Sequence, residues 1–139
     1  MSVTTSTSTP SGTYSLTITG TSGTLVHSTN VTLVVNGGPQ PDFTISVSPT
    51  SLNVARRSTG TYTVTIGAVN GFSGTVSLSV TGLGSRVSAS FNPTSVTGSG
   101  TSTLTVNVKR RATTGARTLT ITGVSGSLSH STTAILNIQ

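Results

Sequence analysis

The chain has 139 residues, enough for one domain of ordinary size with a remainder. Only 6% of the residues are charged, and seven Lys and Arg stand against a single acid, which gives a net charge of +6. The absence of cysteine excludes disulfides and thiolate metal sites. No apolar run approaches the ~18 residues of a membrane-spanning helix, so no membrane insertion is predicted. A surface built from Ser and Thr instead of charges is untypical of cytosolic proteins and predicts an extracellular or cell-surface location.

Two segments of the chain repeat each other. Residues 13–36 align with residues 116–139 without a gap and give 12 identities in 24 positions, including the words LTITG and L-x-HST. Nothing ahead of Val3 matches residues 42–105. We therefore predict that residues 1–36 form only the C-terminal half of a repeat, with about three strands, and that residues 42–139 form a complete copy.

A short linker is expected between the two copies. Residues 37–41 read Gly-Gly-Pro-Gln-Pro. Glycine and proline interrupt regular structure, and the two prolines favour an extended backbone. The sequence therefore places the domain boundary within residues 37–41.

The complete copy alternates apolar and polar residues, the period expected of strands with one buried face. Turn residues such as Asn70-Gly71 and Asn92-Pro93 separate the alternating segments. No stretch has the apolar period of a helix. The sequence therefore predicts an all-β sandwich of two antiparallel sheets with about seven strands. The alternating segments are residues 43–47, 62–66, 76–80, 87–91, 104–108, 119–121 and 134–138.

Three motifs carry a family resemblance. The run PDFTISVSP at residues 41–49, GFSGTV at residues 71–76 and SFNP at residues 90–93 resemble the immunoglobulin-like (Ig-like) repeats of bacterial secreted and surface proteins. The resemblance covers the whole chain, counting the partial copy. It implies an Ig-like sandwich that serves as a spacer or accessory domain beside other domains of a larger protein. It does not identify a ligand.

The sequence predicts neither an enzyme nor a cofactor. Acid–base hydrolysis of sugars needs two carboxyl groups, and the chain has one, that of Asp42. A Ser-His-acid triad would have to combine Asp42 with His27 or His130, which occupy matching positions of the repeat. We interpret both histidines as structural or surface residues. The alternative, metal ligation, would need further ligands nearby.

Six of the seven cations fall in three loops of the predicted sandwich. In the usual strand order, the loops after the first, third and fifth strands meet at one end. A cluster without acidic partners would attract an anionic polysaccharide or cell-wall polymer. The alternative is a solubility device on an otherwise uncharged surface. Nucleic acid is the least favoured partner, because no aromatic side chain or recognition helix accompanies the loops. The candidate anion-binding residues are Arg56, Arg57, Arg86, Lys109, Arg110 and Arg111; the first copy has Ser6-Thr7-Ser8 in place of the last three.

The half repeat leaves apolar faces without a partner in its own copy. A lone hairpin is marginally stable in water, so these faces need another surface. Because residues 13–36 resemble residues 116–139, they could replace those strands in another molecule and build a fibre or a dimer. The alternative is a repeat array cut at an arbitrary point. The candidate strand-exchange residues are Leu16, Ile18, Val31, Leu33 and Val35.

Three functional hypotheses follow from these observations. The first is a non-catalytic structural or spacer module of an exported bacterial protein, in contact with neighbouring domains. The second is an accessory domain that binds an anionic polysaccharide or cell-wall polymer through the cationic loops. The third is a fibre subunit that self-associates through residues 1–36.

Overall fold

The computed structural model describes residues 2–6 and 9–139, and the chain divides into two compact units, Met1–Gln40 and Pro41–Gln139. The second unit is described in full. All regular structure in the described residues is β-strand. The strands are β1 (Gly12–Ser22), β2 (Leu25–Val35), β3 (Asp42–Ser48), β4 (Ser51–Val54), β5 (Thr59–Val69), β6 (Thr75–Thr81), β7 (Val87–Asn92), β8 (Ser95–Thr97), β9 (Gly100–Val108), β10 (Gly115–Ser125) and β11 (Leu128–Ile138).

The second unit is a sandwich of two sheets. One sheet has the strand order β3-β5-β9-β7, and the other has the order β4-β11-β10-β6-β8. This arrangement confirms the predicted all-β sandwich, and each of the seven predicted segments lies in a strand. Two short strands, β4 and β8, were not predicted. The predicted sheets were antiparallel throughout, but β4 pairs with β11 in parallel, because the chain continues from β3 into the opposite sheet.

The core lies between the two sheets and follows the alternation of the sequence. Side chains at every second position of the central strands are buried, because period-two alternation sends them to one face. The phenol of Tyr62 donates a hydrogen bond of 2.9 Å to the carbonyl oxygen of Ile135 in the facing sheet. Burial raises the pKa of Tyr62 above its usual value of 10.0. The largest apolar side chains that are fully buried are Phe43, Tyr62, Val64, Ile66, Val76, Leu104, Val106, Val108, Leu119, Ile121 and Leu136.

The described residues of the first unit form one hairpin, β1–β2. Its register pairs Gly12 with Val35 and Ser22 with Leu25, matching the pairs Gly115–Ile138 and Ser125–Leu128 of the β10–β11 hairpin. The prediction of about three strands here was wrong: the described part of residues 1–36 has two. Residues 2–6 correspond to the end of β9, which in the second unit is held between β5 and β7. The described part of the first unit has no counterpart of those neighbours to hold a third strand.

Candidate functional site: the cationic end of the sandwich

Three loops of the second unit meet at one end of the sandwich. They are residues 55–58, 82–86 and 109–114. The backbone N–H of Arg57 donates to the carbonyl oxygen of Val108 (2.8 Å), and the N–H of Lys109 donates to the carbonyl oxygen of Arg86 (3.0 Å). These bonds join each loop to a neighbour. We call this surface the cationic end.

The structure brings the six candidate anion-binding residues together at the cationic end. All six side chains are exposed. The guanidinium of Arg56 is anchored, because its Nε donates to the carbonyl oxygen of Ala112 at 2.8 Å. No acidic side chain neutralises the group, because the single acid of the chain, Asp42, lies at the opposite end of β3 and β5. The role of the six cationic residues in binding remains a prediction.

A seventh cation, Arg117, joins the cationic end and was missed in the sequence. It follows the start of β10 by two residues, and its side chain lies against Gly84, where an added Cβ would come within 2.5 Å of Nη1. Its Nη2 donates to the carbonyl oxygen of Thr113 (3.3 Å). Arg117 is in phase with Leu119 and Ile121, which are buried residues of β10. Its length lets the charge extend past the core to the rim of the sandwich.

Two of the cationic residues have a backbone conformation that arginine rarely adopts. Arg57 has φ = 64° and Arg86 has φ = 65°. The left-handed region costs a residue with a Cβ roughly 1–2 kcal/mol, a cost that glycine avoids. Arginine at both turns therefore costs stability that the fold alone does not require.

The opposite end of the sandwich holds the pair Asp42 and His130. His130 Nε2 lies 2.7 Å from Asp42 Oδ1, and the backbone N–H of Phe43 donates to the same oxygen at 2.7 Å. The His130 ring meets the Phe43 ring edge-on, with centroids 4.8 Å apart. The hydrogen bond with His130, assisted by the Phe43 N–H, lowers the pKa of Asp42 below its usual 3.8. The pair ties the first strand of the unit to the last.

The pair gives a testable pH dependence. Because the pKa of Asp42 is lower in the folded chain than the unfolded value of 3.8, its contribution to the free energy of unfolding is present above pH 3.8. That contribution is lost as the pH falls through the folded pKa. Since the chain has no other acidic side chain, we expect urea midpoints of the unmodified chain to fall only modestly below pH 4. The Asp42→Asn variant is expected to give a flatter profile, and a profile as steep as the unmodified chain's would contradict this role of the pair.

The candidate strand-exchange residues lie on the first-unit hairpin. Ile18 is 37% exposed and Val31 is 40% exposed, whereas their counterparts Ile121 and Ala134 are 0% and 1% exposed. The other three are half-buried: Leu16, Leu33 and Val35. The exchange itself remains a prediction. Thr7 and Ser8, the counterparts of Arg110 and Arg111, lie outside the described residues.

Neither a metal cluster nor a membrane-spanning helix occurs in the described part of the chain. No group of three or more His, Cys, Asp or Glu side chains there could hold a metal ion. Among the same residues, no helix has the length and apolarity to cross a membrane.

Comparisons with known proteins establish the fold. A scan against family models and a search of curated proteins find no match. Domains 4 and 5 of the S-layer protein SbsC align over 92% of this chain and 65% of theirs, at 23% identity and a TM-score of 0.54. A structure of SbsC domains 4–9 aligns over 93% of this chain and 18% of its own, at 26% identity and the same TM-score of 0.54. A FixG-related protein from Vibrio parahaemolyticus aligns over 71% of this chain and 96% of its own, at 12% identity and a TM-score of 0.52.

The chain spans less than two thirds of the SbsC chains that it matches. The matched SbsC domains are parts of a surface-layer protein, so the neighbours fit a β-domain of a surface protein. That statement is coarser than the Ig-like repeat that the sequence motifs implied.

Proposed function

We propose that this chain is a structural spacer module of a bacterial cell-surface protein, folded as an Ig-like sandwich and without catalytic activity. The strand order β3-β5-β9-β7 against β11-β10-β6 corresponds to the ABED and GFC sheets of Ig-like domains, which supports the Ig-like assignment. The likeness to S-layer domains supports the cell-surface setting. The one carboxylate is bound by His130 and the Phe43 N–H, which supports a structural role for it.

The parallel pairing of β4 with β11 carries this proposal. The N–H of Ile135 donates to Thr50 O (2.8 Å), that of Gln139 to Val54 O (3.1 Å), and that of Arg56 to Gln139 O (3.1 Å). The chain enters the second unit beside Asp42, at the end opposite the cationic end, and Gln139 lies at the cationic end. Tension between residues 41 and 139 would therefore draw β4 and β11 lengthwise past each other. The hydrogen bonds between them would have to break together, which suits a module that transmits force.

Force spectroscopy with two attachment geometries tests this role. Because the chain has no cysteine, introduced cysteines provide unique handles. Handles at Pro41 and Gln139 load the β4–β11 pair in shear. Handles at Thr114 and Gln139 lie at the same end of the β10–β11 hairpin and open it one bond at a time. We expect a clearly higher unfolding force for the first pair of handles.

Each attachment geometry serves as a control for the other, because both use the same fold and share the handle at Gln139. Circular dichroism of both double-cysteine variants must give the strand spectrum of the unmodified chain. Equal forces in the two geometries would show that β4–β11 resists no load, and the spacer proposal would lose its main support.

A second candidate function is the binding of an anionic polysaccharide at the cationic end. It is favoured by one observation: arginine occupies the two left-handed turn positions, Arg57 and Arg86, where glycine would cost less. A solubility device needs charge somewhere on the surface but has no reason to use these positions. Retention of the positive charge at the cost of backbone strain is typical of a functional surface.

Retention on immobilised polygalacturonate, a carboxylate polysaccharide, tests the second candidate. We expect the unmodified chain to be retained at low salt and released as salt is raised, because the interaction is between exposed charges. Replacing Arg110 and Arg111 with alanine should abolish retention. The Arg57→Gly, Arg86→Gly double variant should elute at lower salt while keeping or raising its free energy of unfolding, since glycine relieves the left-handed strain.

Two outcomes would contradict the second candidate. One is equal retention on uncharged dextran, which would show that charge is not responsible. The other is unchanged elution of the Arg57→Gly, Arg86→Gly variant, which would assign these arginines to solubility alone.

A further inference from the structure

The hairpin of the first unit contains an open cleft. The cleft has a volume of about 370 Å³ and is lined by Gly20, Thr21, Ser22, Leu25 and His27. A Cβ added at Gly20 would meet no heavy atom within 4 Å. The cleft lies in the part of the hairpin whose sequence is most similar to the second copy. The second copy therefore shows what the same residues contact when the first half of the repeat is present.

In the second copy, the counterpart of this cleft is filled. Gly123 stands where the first copy has Gly20, and a Cβ added there would lie 2.8 Å from Val76 Cγ1 and 3.2 Å from Phe43 Cε2. Leu128, the counterpart of Leu25, packs with the cluster that contains Phe43 and Phe72. Two neighbouring aromatic rings, with centroids 5.4 Å apart, therefore occupy this region.

The second copy also makes a polar contact here, and the first copy has the histidine of that contact but not the acid. His130, the counterpart of His27, is bonded to Asp42 at 2.7 Å, and the Phe43 ring lies against the imidazole. Asp42 and Phe43 are consecutive, so one dipeptide supplies both the acid for the histidine and the ring that packs against the glycine. The first copy retains the histidine, the glycine and the leucine without any Asp-Phe dipeptide of its own.

The outer edge of the hairpin is open in the same way. In the second copy, residues 120–124 of β10 pair with β6, and residues 135–138 of β11 pair with β4. The corresponding edge residues of β1 and β2 pair only with each other in the described part of the first unit. Leu25 is 65% exposed there. The hairpin thus has the recognition residues, the apolar face and the two free edges of a docking surface.

We propose that the β1–β2 hairpin is the docking surface for a first-half segment of the same repeat, of the type of residues 41–111, supplied by the same polypeptide ahead of the hairpin. The phenylalanine of its Asp-Phe dipeptide fills the cleft beside Gly20, and its aspartate bonds to His27. Supply from the same polypeptide follows the chain order of the second copy, where the first half precedes the hairpin and a six-residue loop, 109–114, joins them.

A second copy of this chain is a poorer occupant. Its own Asp42 is already bonded to His130, and its own Phe43 lies beside Gly123 and is 1% exposed. Docking would require the second copy to release its own β10–β11 hairpin. The number of uncovered hairpins would then stay the same, so the exchange gains no buried surface.

A chain in which residues 41–111 are repeated directly ahead of Thr9 tests the proposal by amide hydrogen exchange. In the 139-residue chain we expect rapid exchange at Thr17–Thr21, the counterparts of the β10 residues that pair with β6. In the lengthened chain we expect exchange at these positions to slow by about 100-fold or more, because they join a cooperative sandwich. Unchanged exchange rates would overturn the proposal.

A pair of substitutions makes the test specific for the cleft. Gly20→Val should leave the 139-residue chain unaffected, because nothing lies near its Cβ, but should restore rapid exchange in the lengthened chain, because the side chain would take the place of the phenylalanine ring. Thr21→Val is the matched control, since the second copy has Val124 at that position, 41% exposed. Protection that survives Gly20→Val would overturn the assignment of the cleft. A dimeric mass of the 139-residue chain with slow exchange at Thr17–Thr21 would instead identify a second copy as the occupant and overturn supply from the same polypeptide.

Discussion

Replacing Leu104 with alanine is expected to lower the free energy of unfolding of the second unit by about 2–5 kcal/mol. Leu104 is 0% exposed and lies on β9, directly between Tyr62 of β5 and Phe91 of β7. Strands hydrogen-bonded on both sides cannot move inward to close the cavity that the substitution leaves. Domains of this size have a free energy of unfolding of about 5–15 kcal/mol, so the loss is a large fraction of the total. Urea denaturation followed by circular dichroism measures it.

The neighbouring residue on the same strand provides the control. Thr103 is exposed and faces away from the core, so Thr103→Ala should change the free energy of unfolding by no more than about 0.5 kcal/mol. Similar losses for Leu104→Ala and Thr103→Ala would contradict the inward and outward assignment of β9, on which the position of the core depends.

Replacing Gly82 with alanine is expected to have the second large effect. Gly82 has φ = 86°, and a Cβ there would collide with the carbonyl oxygen of Thr118 on β10. The left-handed backbone alone costs alanine about 1–2 kcal/mol. The collision with backbone adds about 1–3 kcal/mol, because the carbonyl is fixed within a sheet and cannot turn aside. The free energy of unfolding should therefore fall by roughly 2–5 kcal/mol, measured by thermal or urea denaturation.

Gly71→Ala separates the two contributions. Gly71 has φ = 75°, but no heavy atom lies within 4 Å of an added Cβ. It should cost only the conformational part, about 1–2 kcal/mol. If Gly82→Ala proves no worse than Gly71→Ala, the loop that carries Arg86 does not lie against β10 as the structure has it.

The core could be predicted from the sequence because it depends on a local property. The alternation at Tyr62, Val64 and Ile66 indicates which face of the strand is apolar. A sheet buries that face whichever strands pair with it. The arrangement of the cationic loops followed from strand order in the same way. The position of the loops depends only on the number of strands and the direction of each one.

The remaining features depend on contacts that no local pattern encodes. The bond between Asp42 and His130 joins residues 88 positions apart. Strand β4 was missed because Ser51–Val54 is short and its apolar residues are not part of a longer alternating segment. Arg117 was missed as part of the cationic end because it lies in a strand and not in one of the three loops, and only the length of its side chain brings the charge to that end. In each case, the role of the residue depends on its neighbours in the folded chain and not on the local sequence pattern.

Two sheets enclose the core of the second unit, and the ring of Tyr62 reports on this arrangement most directly. Tyr62 faces Leu104 within its own sheet and bonds to Ile135 of the other. The chain has two tyrosines, so a Tyr14→Phe variant leaves one tyrosine ring to observe by NMR. We expect nuclear Overhauser effects from the Tyr62 ring to both Leu104 and Ile135, with slow exchange of the hydroxyl proton. Random-coil shifts for this ring without either contact would contradict the sandwich.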